Sequence, residues 1–331
     1  MSKNNFSISR EEIPQSNLPS GRNNGTSLSI CTVVNNSSRE GFSVIPELGG
    51  RLYELYLSNG NKVYQVLRRF NPSSIESRDD LFTNAKMCPY VGRVDRGKYV
   101  FNGNEYQLPV NYPEEGNSSH GLLFDKPFNI VEMKNGDDLA EIILEYEYRK
   151  ENEGYPFDFN ITIVHRIEKG KGYSCVTKIE NLSDTGIPVA DGWHPYFDLN
   201  EKIDNLKLQL DSDEIILTDE NKMPASRIKY GEFRALKNLG DTFFDNCFTL
   251  VPENGFVNTF LINENENLHL KIWQEAGNAK YNYLVIYTPP DRRTIAIEPM
   301  TSNVNAFNNG EGLIILEPGR SFETAFGIAA V

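Results

Sequence analysis

Three stretches decide the fold class: Glu141-Ile142-Ile143-Leu144-Glu145-Tyr146-Glu147-Tyr148, Phe157-Asp158-Phe159-Asn160-Ile161-Thr162-Ile163-Val164 and Tyr173-Ser174-Cys175-Val176-Thr177-Lys178-Ile179. Apolar and polar residues alternate along each, and a period of two is the signature of a strand with one buried face. Shorter runs of the same kind occur at residues 206–210, 268–273 and 284–287. Turn formers separate them, among them Asn102-Gly103, Asn135-Gly136 and the Gly- and Asn-containing stretches at 168–172 and 264–267. Helical patterns are scarce. Residues 74–87 have room for one or two turns and residues 232–239 for another, but neither carries an apolar stripe long enough to cover a parallel sheet. That argues against α/β and TIM-barrel architectures, which place a helix between successive strands. The expected fold is all-β: a large antiparallel β-sandwich. Residues 1–24, rich in Ser, Asn and Gly, read as a polar N-terminal arm, and residues 25–331 as a single domain.

The chain has 331 residues and a formal net charge of −13. Such a balance disfavours long-range attraction to nucleic acid or anionic lipid, though a locally basic pocket can still hold a small anion. Cysteines stand at 31, 88, 175 and 247 with no CxxC, which points to a reduced compartment rather than a disulfide framework. The first residues are polar and lack the apolar core of a signal peptide, and no apolar run is long enough to span a bilayer. The expectation is a cytoplasmic protein with no nucleic-acid or membrane partner, as monomer or homodimer. Walker A, GxGxxG, HExxH and GxSxG patterns are missing, so nucleotide and serine-hydrolase chemistry find no support.

The chain has four histidines, at 120, 165, 194 and 269. His120 lies in the turn-like Asn117-Ser118-Ser119-His120-Gly121. His194 lies in Asp191-Gly192-Trp193-His194-Pro195-Tyr196-Phe197, where the following Pro restricts it to extended geometry. An imidazole held among aromatic rings suits proton transfer, and it equally suits a packed structural loop. His165 follows an alternating run and is expected on the solvent or partner-sheet side; His269 is read as a strand residue without a role. Separations of 29 to 75 residues give no metal-ligand spacing, so no metal is expected. Glu298 follows Thr294-Ile295-Ala296-Ile297 and precedes Pro299, which places it at a sheet end, either buried as a base or facing water. Asp245, among Phe243, Phe244 and Phe248, is a site wall or an Asx turn. Arg93, in Gly92-Arg93-Val94-Asp95-Arg96-Gly97, is a ligand-binding fork or half of an ion pair with Asp95 or a more distant carboxylate.

Taken in order, these segments resemble the aldose 1-epimerase (galactose mutarotase-like) family, in its divergent branch. The resemblance runs from about Cys31 to Val331. It rests on Glu47-Leu48-Gly49-Gly50-Arg51-Leu52, Gly92-Arg93-Val94-Asp95-Arg96-Gly97-Lys98-Tyr99, Leu108-Pro109-Val110-Asn111 followed by Ser119-His120-Gly121, His194-Pro195-Tyr196-Phe197-Asp198-Leu199, Asp245-Asn246-Cys247-Phe248, and Ile297-Glu298-Pro299 running on to Phe307. Two departures stand out. Position 92 is Gly where many members have Asn, and the usual Asn-His-x-His-Gly-Gly is reduced to Ser118-Ser119-His120-Gly121-Leu122.

The resemblance implies a sugar site on a wide sheet, with no metal or organic cofactor. It makes Glu298 the general base, His194 the general acid and His120 an assistant near the ring oxygen or anomeric centre. Arg93 and Asp245 would hold hydroxyls. The implied activity is interconversion of α and β anomers of a hexose or related aldose. A hexose-phosphate mutarotase, with Arg93, Arg96 and Lys98 as candidate cations, or a non-catalytic carbohydrate-binding protein on the same fold, stand as alternatives. The expected partner is therefore a monosaccharide or a sugar phosphate. Trp193, Tyr196, Phe244 and Trp273 are candidates to stack on a sugar ring, or else fill the core.

Overall fold

The three alternating stretches form the middle of a nine-stranded antiparallel sheet. In a computed structural model, which describes residues 5–14, 27–72, 77 and 80–331, Asp158–Glu168 pairs with Leu139–Arg149 on one side and Gly172–Asn181 on the other. Asn129–Asn135 closes that edge. Beyond Gly172–Asn181 lie Ser321–Ala330, Leu268–Glu275, Phe256–Asn263, Lys207–Leu210 and Lys237–Asn238 in turn. Burial alternates strictly along Asp158–Glu168, with Phe159, Ile161, Ile163 and His165 inward and Asp158, Asn160 and Thr162 outward. A slip of one residue would exchange those sets, so the register is fixed by the core. Each inward Ile or Phe contributes roughly 1.5–3 kcal/mol by burial.

A second sheet of eight strands packs on this inner face. Its main path runs Pro224–Lys229, Glu214–Thr218, Asp245–Thr249, Tyr283–Tyr287, Ile295–Met300, Gly192–Trp193, Lys86–Met87, and Tyr196–Phe197 also pairs with Ile295–Met300. The inner residues of both sheets, such as Ile163 and Ile272 from the first and Leu284 and Ile297 from the second, belong to one hydrophobic cluster. The result is a large antiparallel β-sandwich. A five-stranded sheet adds Phe6–Glu12, Ser29–Asn35, Gly41–Ile45, Arg51–Ser58 and Val63–Gln65. Thus Phe6–Glu12 of the expected arm is an edge strand paired with Ser29–Asn35; residues 1–4 and 15–24 of that arm lie outside the described residues.

The two expected helical turns are not found where the chain is described. Residues 80–84 form turns and Lys86–Met87 a strand, while residues 73–76 and 78–79 lie outside the described residues. At 232–239 a turn leads into the short strand Lys237–Asn238. Among the described residues the one α-helix is Ala306–Asn309, which follows the Glu298 strand. Among the described residues, no helix is long and apolar enough to cross a membrane.

His165, one of the two sides left open by the sequence, faces the partner sheet. It is fully buried, its Nδ1 lies 2.8 Å from the Tyr173 hydroxyl, and its ring meets Phe42 and Trp193. Burial disfavours the imidazolium and lowers its pKa from 6.5 to about 3. Between those values the unfolded chain binds a proton that the folded chain refuses, so stability is full above the higher value and falls as pH drops toward the lower one. His165→Phe should flatten the dependence of urea-derived stability on pH below pH 6.5, by up to ~1.4 kcal/mol per pH unit. An unchanged slope would mean that the ring titrates as if in water.

Candidate active site

Strand alternation builds the site on the far face of the eight-stranded sheet. In Ile295–Met300, Ile295 and Ile297 enter the sandwich core, so Ala296, Glu298 and Met300 point the other way. Cross-strand register then sets a row: Glu298 is opposite Val285, Val285 opposite Cys247, and Cys247 opposite Ile216. The neighbouring row holds Tyr196, Ala296, Tyr287 and Asp245. Glu298 therefore sits within the strand, not at its end. Asp245 opens the strand Asp245–Thr249 and walls the site rather than making a turn.

Trp193 packs inward against His165 and Phe326, which turns His194 to the site face. The His194 backbone is tied at both ends, its N–H donating to Ala85 O at 3.0 Å and its carbonyl accepting from Asn84 N at 3.1 Å. Its ring lies parallel to Tyr196, with centroids 4.9 Å apart. Nε2 of His194 is 3.3 Å from Oε1 of Glu298, and the two residues are only 5% and 2% exposed. His120 reaches the same place from another loop. Its backbone has a φ of 61° and its N–H donates to Gly92 O at 2.7 Å. Its Nδ1 lies 3.0 Å from the Met87 sulfur, and its ring is edge-on to His194 at 5.0 Å.

Burial dominates the electrostatics. It lowers His194 to about 3 and His120 well below its ordinary value. It pushes the Glu298 carboxyl well up, with the Asp245 charge adding to the rise and Arg93 opposing it. A raised carboxyl beside a lowered imidazole means that the pair shares one proton over a wide pH range. One ligand atom from each of His120, His194 and Glu298 lies within 4.8 Å of the others. Two imidazoles and a carboxylate are also a donor set that Zn²⁺ accepts; the sequence separations concealed this convergence.

Arg93 and Asp245 line one recess beside this cluster, with Lys222, Asn246, Cys247 and Asn303. The recess is about 20 Å³, room for about one water molecule. Both charged groups are engaged across it. Arg93 makes a bidentate pair with Glu115 at 2.5 and 3.0 Å, and Lys222 donates to Asp245 at 3.0 Å. The ion-pair reading of Arg93 holds, with Glu115 rather than Asp95 as its partner, and the same side chain lines the recess. Gly92, just before it, has a φ of 56°. Gly accepts this region most readily, and a Cβ at position 92 would also come within 2.8 Å of Val304 Cγ2.

The remaining candidates disperse. Among the four aromatics, Tyr196 is on the site face, whereas Trp193 and Phe244 fill the core and Trp273 faces outward on the other sheet. Arg96 has a side chain 74% exposed beside Asp95 and does not line the recess. His269 pairs with Ile262 in the nine-stranded sheet. Sequence reading missed Glu115, Lys222 and Met87, because loop charges and a strand methionine carry no local signal.

It also missed the pair behind the site. Lys86 and Asp191 are fully buried, with Nζ 2.5 Å from Oδ1. Lys86 also reaches Thr177 Oγ1 and the Gly192 carbonyl, both at 3.3 Å, and Tyr281 donates to Asp191 at 2.8 Å. Asp191 and Thr301 exchange two further bonds of 2.9 Å, which joins the His194 segment to the Glu298 strand.

Comparison with known proteins shows the family and the fold. The aldose 1-epimerase profile matches residues 33–328, and the chain belongs to that family. The uncharacterized protein YihR of Escherichia coli K12 is 26% identical over 249 residues, 73% of this chain and 77% of that one. The bifunctional protein GAL10 of Kluyveromyces lactis is 24% identical over 196 residues, which are 56% of this chain but 27% of that longer protein. Among solved structures, a galactose mutarotase-like protein from Clostridium acetobutylicum superposes with a TM-score of 0.81 at 20% identity, over 99% of both chains. Galactose 1-epimerase from Lactobacillus acidophilus NCFM gives 0.79 at 18%, over 98% of this chain and 99% of its own. At these identities the structural likeness establishes the fold.

Removing one partner of a buried ion pair leaves the other charge desolvated. Lys86→Met alone should cost about 3–5 kcal/mol in urea unfolding, and Lys86→Met/Asp191→Leu distinctly less. A double variant as unstable as the single one would show that packing, not charge, governs this position.

Proposed function

We propose that this chain is a mutarotase, interconverting the α and β anomers of an unphosphorylated aldose by acid–base catalysis. The carrying observation is the 3.3 Å approach of the His194 imidazole to the Glu298 carboxyl on one buried face. Anomer exchange needs the C1 hydroxyl to lose a proton while the ring oxygen gains one. The C1–O5 bond breaks, the open-chain aldehyde turns about C1–C2, and closure on the other face returns both protons. From the state in which the shared proton rests on His194 and Glu298 is a carboxylate, Glu298 takes the hydroxyl proton, His194 supplies the ring-oxygen proton, and His120 assists from beside His194. Closure reverses these roles, so a pair sharing one proton is restored after each turnover. Each positioned transfer supplies ~10²–10⁴ in rate. The family match supports sugar isomerisation in general.

Arg93 and Asp245 hold sugar hydroxyls. Entry requires the loops bearing Glu115 and Lys222 to draw back, because the recess as it stands admits little more than a water molecule. A phosphorylated sugar is the less favoured substrate: Arg93 and Lys222, the cations lining the recess, each already face a carboxylate.

His194→Asn and Glu298→Gln should each slow anomer exchange by at least ~10²-fold, read by NMR across a panel of free and phosphorylated aldoses, with circular dichroism unchanged. Exchange close to wild type in either variant would remove its assigned role, and no exchange with any member of the panel would remove catalysis on those sugars. The rate should hold through mildly acidic pH, because His194 gains a second proton only near pH 3. It should fall on the alkaline side, once pH rises above the raised Glu298 value and the shared proton leaves. An acid limb near 6.5, the ordinary imidazole value, would contradict the desolvated pair.

A further inference from the structure

Trp273 is a chemistry-bearing residue that the catalytic site does not use. It lies on the outer face of the nine-stranded sheet, across the sandwich from Glu298. Along Phe256–Asn263 and Leu268–Glu275, Val257, Thr259, Leu270, Ile272 and Gln274 turn inward, and Phe256, Asn258, Lys271 and Trp273 turn out. These four, with Glu253 and Asn254 from the preceding turn, line a cleft of about 530 Å³.

Three features give the cleft a chemical character. The first is its pair of rings. Trp273 is opposite Gly327 on the next strand, where a Cβ would come within 2.5 Å of the indole. The missing side chain lets the indole lean across the sheet. Phe256 stands near-perpendicular to it, with centroids 5.9 Å apart, and is 44% exposed. The second is polar capacity. Among the described residues, the Glu253 carboxylate, the Asn254 and Asn258 amides, the Lys271 ammonium and the Trp273 indole N–H make no hydrogen bond or ion pair within the protein. Asn258 sits directly opposite Trp273, so an amide flanks the ring. The third is charge: one carboxylate and one ammonium leave the cleft without a net sign, unlike the acidic chain as a whole.

We infer that this cleft is a second carbohydrate-binding subsite, which takes a neutral pyranose unit of an oligosaccharide against Trp273. A pyranose has an apolar C–H face and a rim of hydroxyls that both donate and accept. Aromatic surface covers the first, and the amides, carboxylate and ammonium answer the second. A charged ligand would leave one of Glu253 and Lys271 facing a like charge. The subsite goes beyond the catalytic reading and does not depend on it, since it shares no residue with the recess of Arg93 and Asp245.

The two tryptophans make the test specific. Trp193 is buried between the sheets and serves as an internal control for Trp273. ¹H–¹⁵N spectra of the full chain are titrated with maltotetraose, cellotetraose, xylotetraose and β-1,4-galactotetraose. The expected result is a saturable shift of the Trp273 indole resonance with at least one of these, while the Trp193 resonance stays in place. Asn258→Ala/Lys271→Ala should weaken that binding by ~10-fold or more and leave anomer exchange of free aldoses unchanged. Three results would overturn the inference: no shift with any tetrasaccharide at millimolar concentration, a shift insensitive to the double variant, or a shift that follows protein concentration without sugar while a dimer sediments. A Trp273 shift in a protein that exchanges no anomers would retire the mutarotase reading and uphold this one.

Discussion

The Lys86–Asp191 pair is the interaction on which the site depends. It lies between the two sheets, where a lone charge is costly and a matched pair is tolerated only with its remaining polar atoms bonded. Thr177, Gly192 and Tyr281 supply those bonds. The pair connects the strand Lys86–Met87, the Asp191–His194 segment and, through Thr301, the strand that carries Glu298. Met87, on the opposite face from Lys86, is the residue whose sulfur meets His120. One interaction on the core side thus sets the relative position of all three groups on the other.

Desolvation then gives that constellation its chemistry. In water an imidazole and a carboxyl would titrate in their ordinary ranges and the pair would carry its full charge separation. In the sealed face the imidazole is pushed down and the carboxyl up, so the one-proton state persists. The sealing has a consequence for motion. The Arg93–Glu115 and Lys222–Asp245 pairs close the recess with loop residues, and Asn117 Nδ2 donates to Asn221 O at 3.2 Å, which joins one loop to the other. Loops of this kind, held by partly exposed ion pairs, open at lower cost than the strands beneath them.

The fold was largely legible because burial in a sandwich imposes a period of two, and residues 158–168 obey it without exception. The helix expectations at 74–87 and 232–239 had no such periodic support, and where the chain is described those segments are turns and two-residue strands. His194 and Glu298 were visible as candidates because each follows a distinctive local pattern. Their contact was not, since nothing in either pattern encodes the other. Glu115, Lys222 and Lys86 were invisible for a related reason: a charged residue in a loop or short strand reads as solvated until its partner is known.

The amino-acid sequence by itself determined the strands, their two-faced character and the residue types able to carry protons, because these follow from local alternation and side-chain chemistry. Tertiary structure alone decided that His120, His194 and Glu298 share one face, that Trp273 and Phe244 do not join them, and that Arg93 is held by Glu115. Strand register across long sequence separations makes those choices, and register is a property of the packed core rather than of any single segment.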